Sequence, residues 1–288
     1  MEGIIRLTCF LTVLTAVALA ELLAPRRKLS VRKGLRWRSH FLLAGLNTAA
    51  VRLLSPLTAV ATAALGEERN WGLLNHLQWP AWIKILITLV ALDFIVYLQH
   101  VAFHAMPILW QLHRVHHADL DFDVTTGIRF HTFEMILSGW LKAAAVVALG
   151  APALGVVAFE IVLNATSMFN HGNLRLPAKL DAALRWFIVT PDMHRVHHSI
   201  ETDELNRNFG FNLPWWDYLL GTYRSQPARG HNEMTIGLSE FRDEEVDRLG
   251  VILTLPFVGS KWRTRQDEDE SIQREAEGTP AANSLPRE

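Results

Sequence analysis

The pentapeptide His-Arg-Val-His-His occurs twice in this chain, at His113–His117 and again at His194–His198. On a helix, positions i, i+3 and i+4 share one face, so each copy can aim three imidazoles at one point. His100 and His104, just upstream, repeat the i, i+4 spacing. A single such group would suit a solvated face. Two identical copies beside a third pair do not, because eight of the thirteen histidines then fall into three short segments. Neutral imidazole is a good ligand for zinc, copper and iron. The spacing therefore reads as a metal site holding more than one ion.

The segments around these clusters carry further polar residues at helical spacing. Asp93, Tyr97, His100 and His104 stand at i, i+4, i+7 and i+11 in an otherwise apolar run. Glu160, Asn164 and His171 stand at i, i+4 and i+11 in another. Such groups are costly in lipid and mark a functional interior. His171 reads as a ligand, with Glu160 and Asn164 as interior polar support. Asp93 reads as a carboxylate behind an imidazole or as a helix-packing group. His131 has three open roles: metal ligand, orienting group, or cap of the following helix. His40, His76 and His231 are isolated and read as ordinary residues. Asp119, Asp121 and Asp123 resemble the start of a calcium loop, but Val124 replaces the glycine such a loop needs and the distal Glu is missing. There is no HExxH, GxGxxG or P-loop pattern, so neither a zinc metalloprotease nor a nucleotide site is indicated.

The elements that must position these residues are membrane helices. The chain has 288 residues, half of them hydrophobic, and a net charge of −1, which gives no reason to expect a nucleic-acid partner. Its only cysteine is Cys9, so no intrachain disulfide can form. A spanning helix needs roughly 20 apolar residues. Four stretches qualify: Ile4–Ala24, about Phe41–Leu65, about Trp82–His104, and Met135–Phe169, which is broken at Gly150–Pro152 and reads as a hairpin of two shorter helices. Seven basic residues (Arg26, Arg27, Lys28, Arg32, Lys33, Arg36 and Arg38) follow the first run instead of preceding it, which argues against a cleaved leader. The positive-inside rule then places residues 25–40 in the cytoplasm. Following the spans, every histidine cluster emerges on that same side. The expectation is an all-α integral membrane helical bundle of about four membrane-spanning or hairpin segments, with a cytoplasmic histidine-rich cap. Residues 1–80 form the N-terminal helices and basic loop, 81–258 the catalytic domain, and 259–288 a disordered polar tail.

The order HxxxH, HxxHH, HxxHH on membrane helices resembles the fatty acid hydroxylase superfamily, also called the sterol desaturase family. The matching text runs from Asp93 through His100 and His104, then His113, His116 and His117. It continues through Asn170-His171-Gly172-Asn173 and His194, His197 and His198, and the segment Asn208–Thr222 is similar to that family's C-terminal block. The resemblance covers about Ala81–Leu238. It implies a non-haem site of two Fe ions held by His100, His104, His113, His116, His117, His171, His194, His197 and His198, and it leaves the role of His131 open. It further implies an enzyme that uses O2 and two electrons to hydroxylate or desaturate an unactivated C–H bond of a lipid. The electrons would come from a separate donor protein, ferredoxin-like or a cytochrome. A sterol or carotenoid desaturase or oxidase of the same superfamily is the alternative within enzymes, and a non-catalytic membrane metal-binding protein the alternative outside them. A transporter would carry ligands in mid-span, whereas here they lie at helix ends.

Overall fold

The computed structural model describes residues 2–55 and 57–258, so the expected polar tail lies outside the described residues. The α-helices run α1 (Glu2–Leu23), α2 (Lys33–Leu54), α3 (Ala59–Glu68), α4 (Ala81–Ala105), α5 (Pro107–His117), α6 (Thr132–Leu149), α7 (Ala153–Asn170), α8 (Ala178–Leu184), α9 (Pro191–His197), α10 (Thr202–Leu205), α11 (Trp215–Leu219), α12 (Gly230–Glu233) and α13 (Leu249–Thr254). Among the described residues the only β pairing is two isolated bridges, Pro25 with Leu174 and Ser199 with Ile236. The fold class is all-α, as expected.

Five stretches are long and apolar enough to cross a membrane by length and composition: Glu2–Leu23, Lys33–His76, Ala81–Ala105, Thr132–Leu149 and Ala153–Asn170. The expected hairpin supplies two of them. Gly150 closes α6 in the left-handed region at φ 68°, which a Cβ would disfavour, and its N–H returns to the Val146 carbonyl at 3.0 Å. These helices leave large apolar side chains such as Leu7, Leu11, Leu53, Leu86, Leu141 and Leu154 exposed, as lipid-facing surfaces require. The chain is an integral membrane protein. Its interior face is built where α4 packs on α6 and α7, around Leu92, Val146, Val156 and Phe159.

Two features bring the cap onto this bundle. Met106 precedes Pro107 and is held extended at φ −102°, ψ 118°, so α4 ends there and α5 sets out afresh with proline at its first position. The elbow folds His113–His117 back towards His100 and His104. The α1–α2 connection, meanwhile, is fastened to the cap. Arg26 pairs with Asp192 at 3.2 Å, Arg27 donates to the carbonyls of His231 and Met234, and Asp121 accepts from the backbone N–H groups of Ser30 and Val31. Fully buried Arg36 forms a two-pronged pair with Asp119 at 2.8 Å and a further bond to Asp123 at 2.9 Å. The three aspartates that resembled a calcium loop thus hold cations and amides of the chain itself. The basic loop and the histidine-bearing helix ends lie together at one end of the bundle.

Candidate metal centre

The nine candidate histidines separate into two groups. His100 and His104 of α4, His113 and His117 of α5, and His197 of α9 form the first. His116 of α5, His171 after α7, and His194 and His198 of α9 form the second. Within each group the ligand nitrogens all lie within 4.8 Å of one another. The groups abut, with the rings of His117 and His198 stacked 4.5 Å apart. Neither copy of the pentapeptide aims all three imidazoles at one point. The first copy sends its i and i+4 histidines to the first group and its i+3 histidine to the second. The second copy does the reverse. Adjacent residues of a helix diverge by about 100°, so His116 and His117 face different points, as do His197 and His198.

Local devices fix each arm. Thr190 caps α9 by accepting from the Met193 N–H, and Pro191 follows at the first helical position. His171 is placed by α7, whose Ser167 carbonyl accepts its Nδ1–H at 2.7 Å. At this point the 126–128 turn lies directly against α7. A Cβ on Gly127 would sit 2.7 Å from that same Ser167 carbonyl oxygen, so glycine is what permits the approach.

The hydrogen bonds of the outer ring nitrogens determine what the inner ones can do. The Nδ1–H of His100 goes to the Phe209 carbonyl at 2.8 Å, that of His197 to Arg207 at 2.8 Å, and that of His116 to Arg129 at 3.3 Å. His113 alone gives its Nδ1–H to a carboxylate, Glu134 at 2.7 Å. Each of these histidines, with His171, is left with a bare lone pair on Nε2. Yet His100 and His197 face each other Nε2 to Nε2 at 3.0 Å, and His116 and His171 do so at 3.1 Å. Two lone pairs that close repel unless a cation lies between them. Nitrogens bound at right angles to one ion, each at about 2.1 Å, lie about 3.0 Å apart. Moreover, His113 Nε2 and both nitrogens of His198 are buried without a partner, and metal coordination would satisfy the His113 nitrogen and one of the two on His198. The donor set therefore fits metal ions. It contains only neutral nitrogen ligands, suited to iron, copper, zinc or nickel.

The electrostatics agree. Burial, and then the neighbouring imidazoles, push His116, His117, His194 and His198 well below the ordinary histidine range. Burial takes His171 down to about 4 and His197 to about 3. All are neutral at physiological pH, the form that binds a metal.

The remaining singled-out residues stand outside both groups. His131 caps α6, its Nδ1 accepting from the Phe133 N–H at 3.2 Å, which is the capping role among the three left open. Asp93 accepts from the Trp216 indole at 2.7 Å and from the N–H groups of Asn212 and Leu213, so it packs the 212–216 segment onto α4 and touches no imidazole. Tyr97 bonds to Thr222 at 2.9 Å. Glu160 pairs with Lys142 and, at 2.6 Å, with Arg6, and Asn164 donates to the Glu160 carbonyl. A third group, His40, Asp119 and Asp247, has metal-like proximity. Its acids are already paired with Arg36 and Arg129, and Arg129 donates to His40 Nε2 at 3.0 Å. Burial alone would raise the Asp119 pKa, but Arg36 and His40 hold it below the usual range. Glu134 and Arg129 were not evident from the sequence. Glu134 looks there like an ordinary acid in a helical first turn, and Arg129 works through partners far away in the chain.

Comparison with known proteins gives these observations a family. The fatty acid hydroxylase model matches residues 85–222. The ornithine lipid hydroxylase OlsE of Rhizobium tropici is 30% identical over 232 residues, covering 79% of this chain and 69% of that protein. Alkylglycerol monooxygenases of Xenopus tropicalis and Homo sapiens are 29% and 24% identical, and the chain spans 38% of the length of each. No solved structure matches the chain significantly. The shared region contains both pentapeptides, and the chain belongs to the fatty acid hydroxylase superfamily.

Proposed function

We propose that this protein is a membrane-bound lipid hydroxylase whose nine clustered histidines hold two iron ions. Bound there, the irons supply O2 activation, so that one oxygen atom enters an unactivated C–H bond and the other leaves as water after uptake of two electrons and two protons. The observation that carries this is the pair of Nε2-to-Nε2 contacts between histidines whose Nδ1–H groups are already committed, at 3.0 and 3.1 Å. In this assignment His100, His104, His113, His117 and His197 hold one ion and His116, His171, His194 and His198 the other. The backbone carbonyls of Phe209, Arg207, Arg129 and Ser167 orient the rings, and Glu134 orients His113. Burial of the second group excludes water from that half of the site. The centre opens to the cytoplasm, where a separate electron-donor protein delivers electrons. The basic loop fastened to the same end of the bundle supports that orientation. The test is comparative lipidomics of cells with and without the gene. Hydroxylation shows as lipids that gain one oxygen only when the gene is present. Loss of two hydrogens instead would make the enzyme a desaturase, and an unchanged lipid profile would remove the assignment.

A further inference from the structure

The cap carries an exposed apolar face that lies outside the five candidate spans. Leu180 of α8, Trp186 and Phe187 just after it, and Trp215, Leu219 and Leu220 in and beside α11 are all exposed, Phe187 by 70% and Leu219 by 74%. The two segments form one surface because they are tied together. The Trp215 indole donates to the Trp186 carbonyl at 2.7 Å, the Tyr218 hydroxyl donates to the Arg185 carbonyl at 3.0 Å, and the Trp186 and Tyr218 rings lie 5.9 Å apart. The polar ends of these rings are therefore satisfied within the protein, and their apolar faces are left outside. The single charge between Leu213 and Leu220, Asp217, is buried and accepts from the N–H groups of Phe209 and Gly210. Arg185 is likewise buried, beside Asp181 at 2.8 Å.

The place of this face along the bundle decides what covers it. Trp216, beside Trp215, donates to Asp93 at 2.7 Å and packs on Phe94 with ring centroids 4.7 Å apart. Asp93 stands twelve residues into α4 from Ala81. At 1.5 Å per residue it lies at most about 18 Å from the end of α4 remote from the cap, whereas a hydrocarbon core is about 30 Å thick. Closer to the cap than Asp93, α4 still turns an apolar side chain outward at Leu98, which is 45% exposed. Asn212 of the same segment accepts from Thr166, inside α7. The 212–216 segment is thus held against the flank of two spans at a level where the surroundings are lipid, and α11 continues from it. A contiguous apolar face of this kind marks a partner, and here it is continuous with the lipid-facing side of α4. We infer that the face formed by α8, residues 186–187 and α11 is immersed in the leaflet nearest the cap, lying in the lipid without crossing it. Its partner is the acyl chains of the bilayer. The immersed segment also reaches the metal centre, because Asp217 holds the Phe209 N–H and the Phe209 carbonyl accepts from His100. The inference does not depend on the reaction that the histidines perform.

The experiment uses the full chain carrying Cys9→Ser, which removes its only cysteine, reconstituted in phosphatidylcholine vesicles. Single cysteines are introduced by Phe187→Cys and Leu219→Cys. Leu98→Cys serves as the lipid reference and Asp203→Cys, exposed on α10, as the water reference. Each cysteine receives a nitroxide label, and recovery as a single species on size exclusion reports that each variant is folded. Collisions of the label with O2, which concentrates in lipid, and with a water-soluble nickel chelate are read by electron paramagnetic resonance. The ratio of O2 to nickel accessibility at Phe187→Cys and Leu219→Cys is expected to match that at Leu98→Cys. It is expected to exceed that at Asp203→Cys by at least roughly tenfold, since a polar chelate is excluded from hydrocarbon. Ratios equal to that at Asp203→Cys would place the face in water and overturn the inference. Labels shielded from both reagents would show a protein surface, a second copy or another chain, covering the face, and would overturn it equally.

Discussion

The two histidine groups draw on the same pentapeptide and meet different surroundings. The first has five imidazoles, one of them backed by the Glu134 carboxylate and one, His104, facing a cavity. The second has four, all buried; His116 and His171 are anchored only through backbone carbonyls, and His194 Nδ1 and both nitrogens of His198 are without a partner. A motif does not by itself define a site. Its three imidazoles are shared two to one, and the sharing is inverted between copies, so the halves are linked through α5 and α9. The contrast is also one of exposure: His104 of the first half lines a cavity, whereas all four histidines of the second are buried.

The largest expected effect tests that linkage. His116→Ala removes a ligand from the closed half and His197→Ala one from the open half, although each sits at the i+3 position of its pentapeptide. Both are expected to reduce lipid oxidation to background while the protein still inserts in the membrane, measured as product formation and recovery in the membrane fraction. Retained turnover in either would break the assignment of that histidine to a linked two-ion centre.

The third group, His40 with Asp119 and Asp247, sharpens the contrast because its charges are internally matched. Arg36→Ala would leave Asp119 and Asp123 buried without their cation. A loss of roughly 3–5 kcal/mol in unfolding free energy is expected, with iron content per folded chain unchanged. A selective loss of iron with stability intact would place this group in the metal site.

A smaller effect separates the halves directly. Glu134→Gln keeps an acceptor for the His113 Nδ1–H and removes the charge. It is expected to weaken one of the two ions by roughly 10–100-fold and leave the other unaffected, measured by titration with a competing chelator. Equal weakening of both would show that the halves are not distinct.

The smallest expected effect acts on both halves together. Thr190→Ala removes the cap of α9, which serves each group, at a cost of about 1 kcal/mol in unfolding free energy. Denaturant unfolding of the metal-free protein measures it. No change would mean that packing of α9, and not its cap, holds His194 and His197.

The histidines themselves were legible in the sequence, because i, i+3 and i+4 spacing is a local signal and polar residues in apolar runs are conspicuous. Four apolar stretches followed from hydropathy, and the break at Gly150–Pro152 showed the last of them to be a hairpin, whose two helices bring the candidate spans to five. The division between the groups was not legible, since it depends on the angle at the Met106-Pro107 elbow and on where α9 docks. Arg36 with Asp119 and Arg129 with Asp247 were hidden for the same reason. Their partners lie 83 and 118 residues away, and no local spacing encodes them. Asp93 and Glu160 were recognised as interior polar residues, but their partners, Trp216 for one and Lys142 and Arg6 for the other, are contacts of tertiary packing.

The most direct test of the central claim is the metal content of the full chain, purified from iron-replete cells and measured by elemental analysis against protein concentration. Two iron ions per chain are expected, falling to one or none in His116→Ala and in His197→Ala. Protein that carries zinc alone, or no iron at all, would contradict the account.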